Sequence, residues 1–371
     1  MGKILEFPGF VDVHVHFRDP GVPEAETTAS GLAAAARGGF AAVVTMPNTS
    51  PACDSPAAVR GQLEAAAAAP AGGRVRLWPS ACLTKGRLGR EVADLEALAA
   101  AGAAFFTDDG SYVEDDAVME EAMRRAARLG MVVCQHAMTW RGGGSPAGNV
   151  IRDCALARRL GLGVIPVSVE TDAIRRDLSL CRTTGCRLHI QHISTAEGVA
   201  LVRAAQREGL PVTAEATPHH LLLSCDELAE DDANFKMAPP LGGREDRAEL
   251  RKAVKEGALM FATDHAPHPA AAKAKGFAGS ANGIVGLETA VPVTWRAMVE
   301  EEGMSVDAWA RAWHEMPLGI VSAAARAASG ALGKTVVETG VDRAVDVASF
   351  ASRSRNCPYG GMRFTCWAKG V

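Results

Sequence analysis

The strongest constraint on the fold is an alternation of apolar, β-branched runs with helical patterns along this 371-residue chain. Segments such as 91–102, 116–130 and 195–209 carry Glu, Arg, Ala and Leu at helical spacing. This alternation predicts a (β/α)8 TIM-type barrel rather than an open doubly wound sheet, although spacing alone does not separate the two. The eight strand-length runs are residues 11–17, 41–46, 75–83, 103–109, 131–137, 187–193, 211–217 and 258–266.

Two glycine-rich segments read as connections, at 141–149 and 267–283. The second is long for a loop inside a compact domain and directly follows the eighth run. Long loops at the ends of barrel strands commonly carry function, so we predict that 267–283 is a mobile active-site loop.

Composition and charge exclude several classes of protein. The net charge is −4 and no basic stripe is present, which argues against a nucleic-acid partner. No apolar run reaches transmembrane length or follows a charged N-terminus as a signal peptide would. Nine scattered cysteines without a CxxC pair indicate reduced thiols, so we expect a cytoplasmic protein.

The histidines are concentrated where the predicted strands end. Nine of the ten lie there, and only His314 does not. In a barrel of this kind the chemistry occurs at the C-terminal ends of the strands, so these polar residues are expected to converge. The candidates are His14, His16, Arg18, Asp19, Asn48, Asp108, Asp109, His136, His189, His192, His219, His220, Asp264, His265 and His268.

The HxH pair in the first run suggests a metal site. Period-2 alternation points His14 and His16 to one side, which is the interior of a closed barrel. Asp264 arrives from the last strand, which neighbours the first after closure. Asp109 can bridge to a second ion held by His136 and His192, and this mixture of imidazole and carboxylate suits zinc.

Each of these residues also has a structural interpretation. A histidine in a strand can be a satisfied core residue, and Asp109 or Asp264 can cap a turn or a helix. Six candidate ligands at the ends of five strands favour the metal site. His189 and His192 cannot both face inward by simple alternation, and we choose His192. We expect His219, His220 and His265 to have supporting roles.

Taken together, these motifs resemble a known family. GFVDVHVHFRDPG, MPNTSP, FFTDDG, LHIQHIST, TPHHLLLS and TDHAPH are similar to dihydroorotase of the amidohydrolase superfamily, from residue 7 to about 290. A weaker match, SRSRNCPYGG, resembles the C-terminal strand region of the family. The resemblance implies a distorted barrel with one or two zinc ions. It also implies reversible cyclisation of N-carbamoyl-L-aspartate to L-dihydroorotate in pyrimidine biosynthesis.

The resemblance also implies roles for particular residues. His14 and His16 look like ligands of the first metal, and His136 and His192 look like ligands of the second. Asp109 looks like the bridging carboxylate of the branch that lacks a carbamylated lysine. Asp264 looks like a metal ligand and the proton shuttle. The implied substrate contacts are Arg18, Asn48, His268 and the backbone near Gly283.

The chain departs from the family pattern in two places that affect the interpretation. Only 13 residues precede His14, where the family has tens that form half of a β-sandwich. We therefore predict a short sandwich remnant at 1–8, a barrel at 9–333 and a strand-rich tail at 334–371, with the sandwich reduced or missing. Ala238 stands where the family has an asparagine or arginine, and one lost hydrogen bond to a charged ligand costs roughly 1.5–3 kcal/mol.

Three functions remain open at this point. The leading one is a zinc-dependent dihydroorotase (EC 3.5.2.3). The second is a related cyclic amidohydrolase acting on a hydantoin or allantoin, which Ala238 leaves open. The third is a catalytically silent subunit that scaffolds aspartate transcarbamoylase, against which the intact ligand set argues. We expect a small-molecule substrate and a homo-oligomer, with no membrane partner.

Overall fold

The computed structural model describes residues 2–71, 74–143 and 145–371. No helix in these ranges is both long and apolar enough to cross a bilayer. The strands are β1 Lys3–Pro8, β2 Phe10–Val15, β3 Phe40–Thr45, β4 Arg76–Pro79, β5 Val132–Gln135, β6 Asn149–Ile151, β7 Gly163–Val164, β8 Arg187–Ile190, β9 Val212–Ala216, β10 Met260–Phe261, β11 Lys334–Ala344 and β12 Arg363–Ala368.

The helices lie mostly between these strands, as the sequence pattern predicts. Each of the three segments predicted to be helical, 91–102, 116–130 and 195–209, contains one α-helix, and that helix is shorter than the segment. The α-helices are α1 Thr28–Gly38, α2 Pro56–Ala68, α3 Leu95–Ala100, α4 Asp116–Arg128, α5 Ala155–Leu160, α6 Ser168–Thr184, α7 Ala196–Arg207, α8 Pro218–Leu222, α9 Arg244–Lys255, α10 Ala270–Lys273, α11 Gly276–Gly279, α12 Ala290–Thr294, α13 Val306–Trp313, α14 Glu315–Ile320 and α15 Ala323–Ser329. A π-helix, Trp295–Glu300, follows α12.

Two parallel sheets form the wall of the barrel. One has the order β2-β3-β4, and the other has the order β10-β9-β8-β5. Single parallel bridges join them, from Ala81 through Phe106 to Val133 on one side and from Val15 to His265 on the other. The His16 amide also donates to the His265 carbonyl at 2.8 Å. These bridges complete the circuit, and the fold is the α/β barrel of the (β/α)8 TIM type that the alternation predicts.

The fourth predicted strand, 103–109, is only partly formed. Phe106 makes the bridges to both neighbours, but no strand extends beyond it. The physical reason lies in the next residues, whose side chains take over backbone hydrogen bonds. Asp108 Oδ1 accepts from the Leu83 amide at 2.9 Å, and Thr107 Oγ1 accepts from the Asp109 amide at 3.0 Å.

The core has two layers. The larger cluster combines strand residues such as Phe40 with residues of the surrounding helices such as Leu32 of α1. The smaller cluster joins residues from opposite sheets, such as Val13 and Met260, with Ile320 of α14, and therefore lies inside the barrel. Apolar packing thus fills the interior away from the C-terminal ends of the strands and leaves that end to polar residues.

A separate antiparallel sheet joins the two ends of the described chain. Its order is β1-β11-β12, with Leu5 opposite Val337 and Thr339 opposite Cys366. This three-stranded sheet contains the two terminal segments that the sequence analysis predicts to be the remnant of a β-sandwich and a strand-rich tail. The division at 1–8, 9–333 and 334–371 stays a prediction.

Candidate metal centre and active site

A β-bulge sets the direction of the two histidines in β2. Val11 and Val13 face the inner core cluster, whereas Val15 faces the outer one. The register of β2 against β3 shifts between Asp12 and Val15. The Asp12 carboxylate accepts from the His14 amide at 3.1 Å in place of a ladder bond. Uninterrupted alternation would have put His14 on the face opposite to Val13, so the bulge is what turns it inward.

Asp109 lies between two groups of histidines. Its Oδ1 is 3.3 Å from His14 Nε2 and 3.6 Å from His136 Nδ1, and its Oδ2 is 3.4 Å from His16 Nε2. His192 Nε2 lies 4.0 Å from Oδ1 and 2.9 Å from His136 Nδ1. Five of the six predicted ligands therefore meet at one end of the barrel, as two triads that share Asp109.

Asp264 completes the first group from the opposite side of the barrel seam. Its Oδ1 lies 3.1 Å from His16 Nε2 and 3.5 Å from His14 Nε2. It follows the short strand β10 and has a φ of 48°. The closing bridge between Val15 and His265 brings it beside β2.

The donor atoms fit a cation. His14 Nε2 and Asp109 Oδ1 are buried and have no hydrogen-bond partner among the described residues. Unpartnered buried polar atoms cost free energy unless something else satisfies them. Two imidazoles and one carboxylate, with ligand atoms within 4.8 Å of one another, form each triad. Zinc sites use this type of ligand set, and the geometry accommodates one ion at each triad.

The electrostatics set the protonation of the ligands before a metal binds. Against the effect of burial, Asp109, Glu215 and Asp264 raise the pKa of His14, so a bound metal would have to displace its proton. Burial alone would raise the pKa of Asp109 and Asp264, but the charge of His14 outweighs it and lowers both values. Burial, together with the neighbouring His136, lowers the pKa of His192 to about 3. Both carboxylates are thus ionised and His192 is neutral near pH 7, as metal ligation requires.

Four non-glycine residues at or beside the centre have left-handed backbone conformations. They are Arg18 (φ 56°), Arg87 (φ 58°), His192 (φ 33°) and Asp264 (φ 48°). Such conformations cost about 1–3 kcal/mol each and persist where the surrounding structure imposes them. Their concentration here indicates that the fold sets ligand direction at the expense of local backbone energy.

A buried chain of polar residues lies behind His14. Glu215 Oε1 is 2.6 Å from His14 Nδ1, and Glu215 Oε2 is 2.9 Å from His189 Nε2. His189 Nδ1 then bonds to Thr213 Oγ1 at 2.9 Å. The sequence prediction missed Glu215, although a glutamate in the middle of the apolar run VTAEAT was a usable signal. His192, which the sequence analysis chose over His189, lies in the cluster, whereas His189 contacts the centre through Glu215.

A cavity of about 160 Å³ opens onto the centre. Of the four predicted substrate contacts, only Gly283 lines it directly. Asn48 lies behind it, with Oδ1 2.9 Å from His16 Nδ1. His268 Nε2 donates to the Asn282 carbonyl at 2.6 Å, and Arg18 Nε donates to the Pro267 carbonyl at 3.4 Å. The lining residues are His16, Asp109, Gly110, His136, His192, Ala238, Asp264, Ala266, Asn282 and Gly283.

Arg87 also belongs to the rim, and the sequence prediction did not single it out. Its Nη2 donates to the Asp109 carbonyl at 2.7 Å and to Ser111 Oγ at 2.9 Å. It therefore holds the turn that carries the shared carboxylate. Nothing in the sequence around Arg87 distinguishes it from an exposed arginine.

The remaining histidines lie outside the metal cluster. His220 Nε2 donates to the Pro239 carbonyl at 3.2 Å, and its ring packs on that of His219 with centroids 4.4 Å apart. His265 Nε2 lies 3.3 Å from Glu26 Oε2 and its Nδ1 accepts from the Gly286 amide, so it supports the barrel seam. His314 bonds to the Gly9 carbonyl.

Comparison with known proteins agrees with this geometry. Residues 2–198 match the family model described as dihydro-orotase-like. The chain belongs to this family. It is 41% identical over 373 residues to a dihydroorotase of Geobacillus thermodenitrificans, covering 99% of this chain and 85% of the relative. It is 42% identical over 374 residues to a dihydroorotase of Bacillus caldolyticus, with the same coverage.

Solved structures support the fold of this family member. An L-hydantoinase from Arthrobacter aurescens superposes with a TM-score of 0.79 at 24% identity, covering 99% of this chain and 83% of that one. A dihydroorotase from Saccharomyces cerevisiae in complex with 5-fluoroorotic acid gives 0.74 at 17% identity, covering 99% of both chains. At these identities the likeness concerns the fold alone.

Proposed function

We propose that this chain is a zinc-dependent dihydroorotase, which reversibly cyclises N-carbamoyl-L-aspartate to L-dihydroorotate. The observation that carries the proposal is Asp109, whose carboxylate lies 3.3–3.6 Å from His14 and His16 of one triad and from His136 of the other. The roughly 40% identity to dihydroorotases over nearly the whole chain supports the same reaction. We place the protein in the cytoplasm, which its nine free, buried cysteines support.

Two zinc ions would be held by the two triads, with Asp264 as a further ligand of the first. Bound zinc would lower the pKa of a coordinated water and polarise the ring amide carbonyl. Asp264 is ionised, adjoins the first triad and lines the cavity. We assign it to accept the proton of the attacking water and to deliver it to the leaving ring nitrogen.

Substrate binding is assigned to Arg18, Asn48, His268 and the backbone of Gly283. Arg18 is half-buried, and in the described part of the chain neither of its Nη atoms donates to a protein group. A guanidinium held in this way can grip a carboxylate through two parallel hydrogen bonds. Gly283 lines the cavity with its backbone, where ring contacts are possible without a side chain.

The experiment is a ring-opening assay on dihydroorotate with zinc quantified in the same purified sample. We expect turnover in the zinc-loaded protein. The Asp264→Asn variant should lose at least about 1,000-fold in kcat, because the substitution removes a carboxylate that is both a metal ligand and the proton acceptor. Asp342→Asn, which alters a carboxylate in an exposed ion pair with Arg363 of the antiparallel sheet, is the matched control.

The outcomes separate the competing functions. Turnover of hydantoin or allantoin in preference to dihydroorotate would replace the proposed substrate. Zinc-free, inactive protein that co-purifies with aspartate transcarbamoylase would support the silent-subunit alternative. Mass determination in solution tests the expected homo-oligomer.

A further inference from the structure

The loop at residues 266–283 forms one wall of the cavity. Ala266, Asn282 and Gly283 line it, and His268 follows two residues after Ala266. The two ends of the loop meet through a parallel bridge between His265 and Ile284, and the Ala266 amide donates to the Ile284 carbonyl at 2.8 Å. The sequence analysis predicts a mobile loop at 267–283, and in the structure this segment contains α10 and α11.

Asn356 of the C-terminal tail joins both ends of this loop. Its Nδ2 donates to the carbonyls of Ala266 and Gly283, each at 3.0 Å. Its Oδ1 accepts from the His268 amide at 3.2 Å, and its own carbonyl accepts from the Val285 amide at 2.9 Å. Asn356 is buried, and all three functional positions of its side-chain amide are used. A carboxylate in its place could accept but could not donate to the two carbonyls.

Lys273 makes a second set of contacts from within the loop. Its Nζ donates to the carbonyls of Gly283 and Ala281 at 2.9 Å and to that of Lys236 at 3.2 Å. An ammonium group has three donors, and these three carbonyls match that number. Burial, with the nearby charge of Lys236, lowers the pKa of Lys273 to about 8.

Gly283 is where the two sets of contacts meet. Its carbonyl accepts from both Asn356 and Lys273, and its φ of 125° is a conformation that favours glycine. A Cβ at this position would lie 2.6 Å from Ala266 Cβ and 3.2 Å from His268 Nε2. The cavity wall is therefore closely packed around this residue, and small displacements of its carbonyl would alter the space available to a ligand.

We propose that Asn356 is a positioning residue for substrate binding, and that with Lys273 it fixes the His268–Gly283 wall of the cavity. This gives the tail motif SRSRNCPYGG a role at the active site. The proposal rests on the dihydroorotase function, because it concerns how that substrate is held. Five of the six metal ligands lie on other strand ends, and although Asp264 precedes Ala266 by two residues, the contacts of Asn356 are to Ala266, Gly283, His268 and Val285 and not to a ligand, so the two parts of the site can be separated by experiment.

The test compares Asn356→Asp and Lys273→Met with the wild-type protein in steady-state kinetics on dihydroorotate. We expect KM to rise at least about tenfold for each variant, with kcat changed less than about threefold and zinc content unchanged. Lys273→Arg keeps the charge and several donors. The increase in log KM for this variant should therefore be at most half of the increase for Lys273→Met. Gln206→Glu alters an amide that donates to the carbonyls of Val212 and Ala258, at the strand ends opposite to the cavity, and should leave KM unchanged.

Hydrogen–deuterium exchange of the loop provides a readout that does not depend on turnover. The amides of residues 266–285 should exchange at least about tenfold faster in both variants, whereas those of β2 and β8 should not change. Unchanged loop exchange and unchanged KM would overturn the proposal, and so would equal losses of kcat and zinc. If Asn356→Asp does not fold, Lys273→Met decides by the same measurements. A wild-type protein without turnover would refute the proposed function, while the exchange data would still test the contacts.

Discussion

Glu215 Oε1 lies 2.6 Å from His14 Nδ1, and both side chains are fully inaccessible to solvent. The pKa of Glu215 is lowered to about 2, because the charge of His14 and its hydrogen bond outweigh burial, so the carboxylate accepts and His14 Nδ1 donates. The other ring nitrogen, His14 Nε2, is directed at Asp109 Oδ1 at 3.3 Å. The amide nitrogen of Gln191, 3.2 Å from the same Nδ1, can donate instead to Met46 Sδ.

The first prediction concerns this pair. Glu215→Gln keeps the shape of the side chain but removes the charge that fixes the orientation and basicity of His14. We expect zinc affinity to fall about 10–100-fold, as measured by competition with a chelator. Glu227→Gln, in an exposed ion pair with Arg247, is the control and should bind zinc as the wild type does. Equal affinity of Glu215→Gln and wild type would show that the contact does not influence the metal.

The second prediction separates two adjacent aspartates. Asp109→Asn should lower zinc stoichiometry and abolish turnover, because Asp109 serves both triads. Asp108 instead accepts from the amides of Leu83 and Thr84 and from the Thr84 hydroxyl. Asp108→Asn should therefore keep its zinc and lose about 1–3 kcal/mol of unfolding free energy. Zinc analysis and urea unfolding of both variants test this prediction. Loss of zinc from Asp108→Asn, with full zinc content in Asp109→Asn, would contradict it.

The third prediction concerns Ala238, which lines the cavity. Ala238→Asn adds an amide that can donate to the substrate, so KM for dihydroorotate should fall, by about 10–150-fold for one hydrogen bond of roughly 1.5–3 kcal/mol to a charged ligand. Ala238→Leu adds similar volume without a donor and should raise KM. Steady-state kinetics distinguish the two. A rise in KM for both variants would show that the cavity has no space to spare at this position.

The fourth prediction is a pH dependence of stability. Burial lowers the pKa of His220 to about 4 from 6.5, so the unfolded chain binds more protons than the folded one between these values. Stability must therefore fall as pH falls, and His220 accounts for about 2 kcal/mol between pH 7 and pH 5. In urea unfolding with chelator present, His220→Gln should lose less stability than wild type over this interval. Parallel pH profiles would contradict the assignment.

Much of the fold and of the centre could be predicted because the signals are local. Strand-length runs specify the barrel, and each of the six ligands lies within a run, all but His14 among its last three residues. The bulge between Asp12 and Val15 could not be predicted, because it depends on a carboxylate that bonds to its own strand and to Thr263 across the barrel seam. The inward direction of His14 and His16 was predicted correctly, but from an alternation that β2 does not keep.

The contacts that support the site from distant parts of the chain could not be predicted in this way. Asn356 and Ala266 are 90 residues apart, and Glu215 and His14 are 201 residues apart. Neither pair has a sequence pattern, because each depends on three-dimensional proximity created by barrel closure and by the return of the tail. Arg18, Asn48 and His268 were placed at strand ends from the sequence, but their roles as substrate contacts come from the family resemblance and stay predictions.

The most direct test of the account is a zinc titration of the metal-free protein, with ring opening of dihydroorotate and bound zinc measured at each step. The account predicts that ring-opening activity rises with zinc occupancy. It also predicts that the Asp109→Asn variant neither reaches full zinc occupancy nor opens the ring. Full occupancy without ring opening, or ring opening in a zinc-free sample, would contradict it.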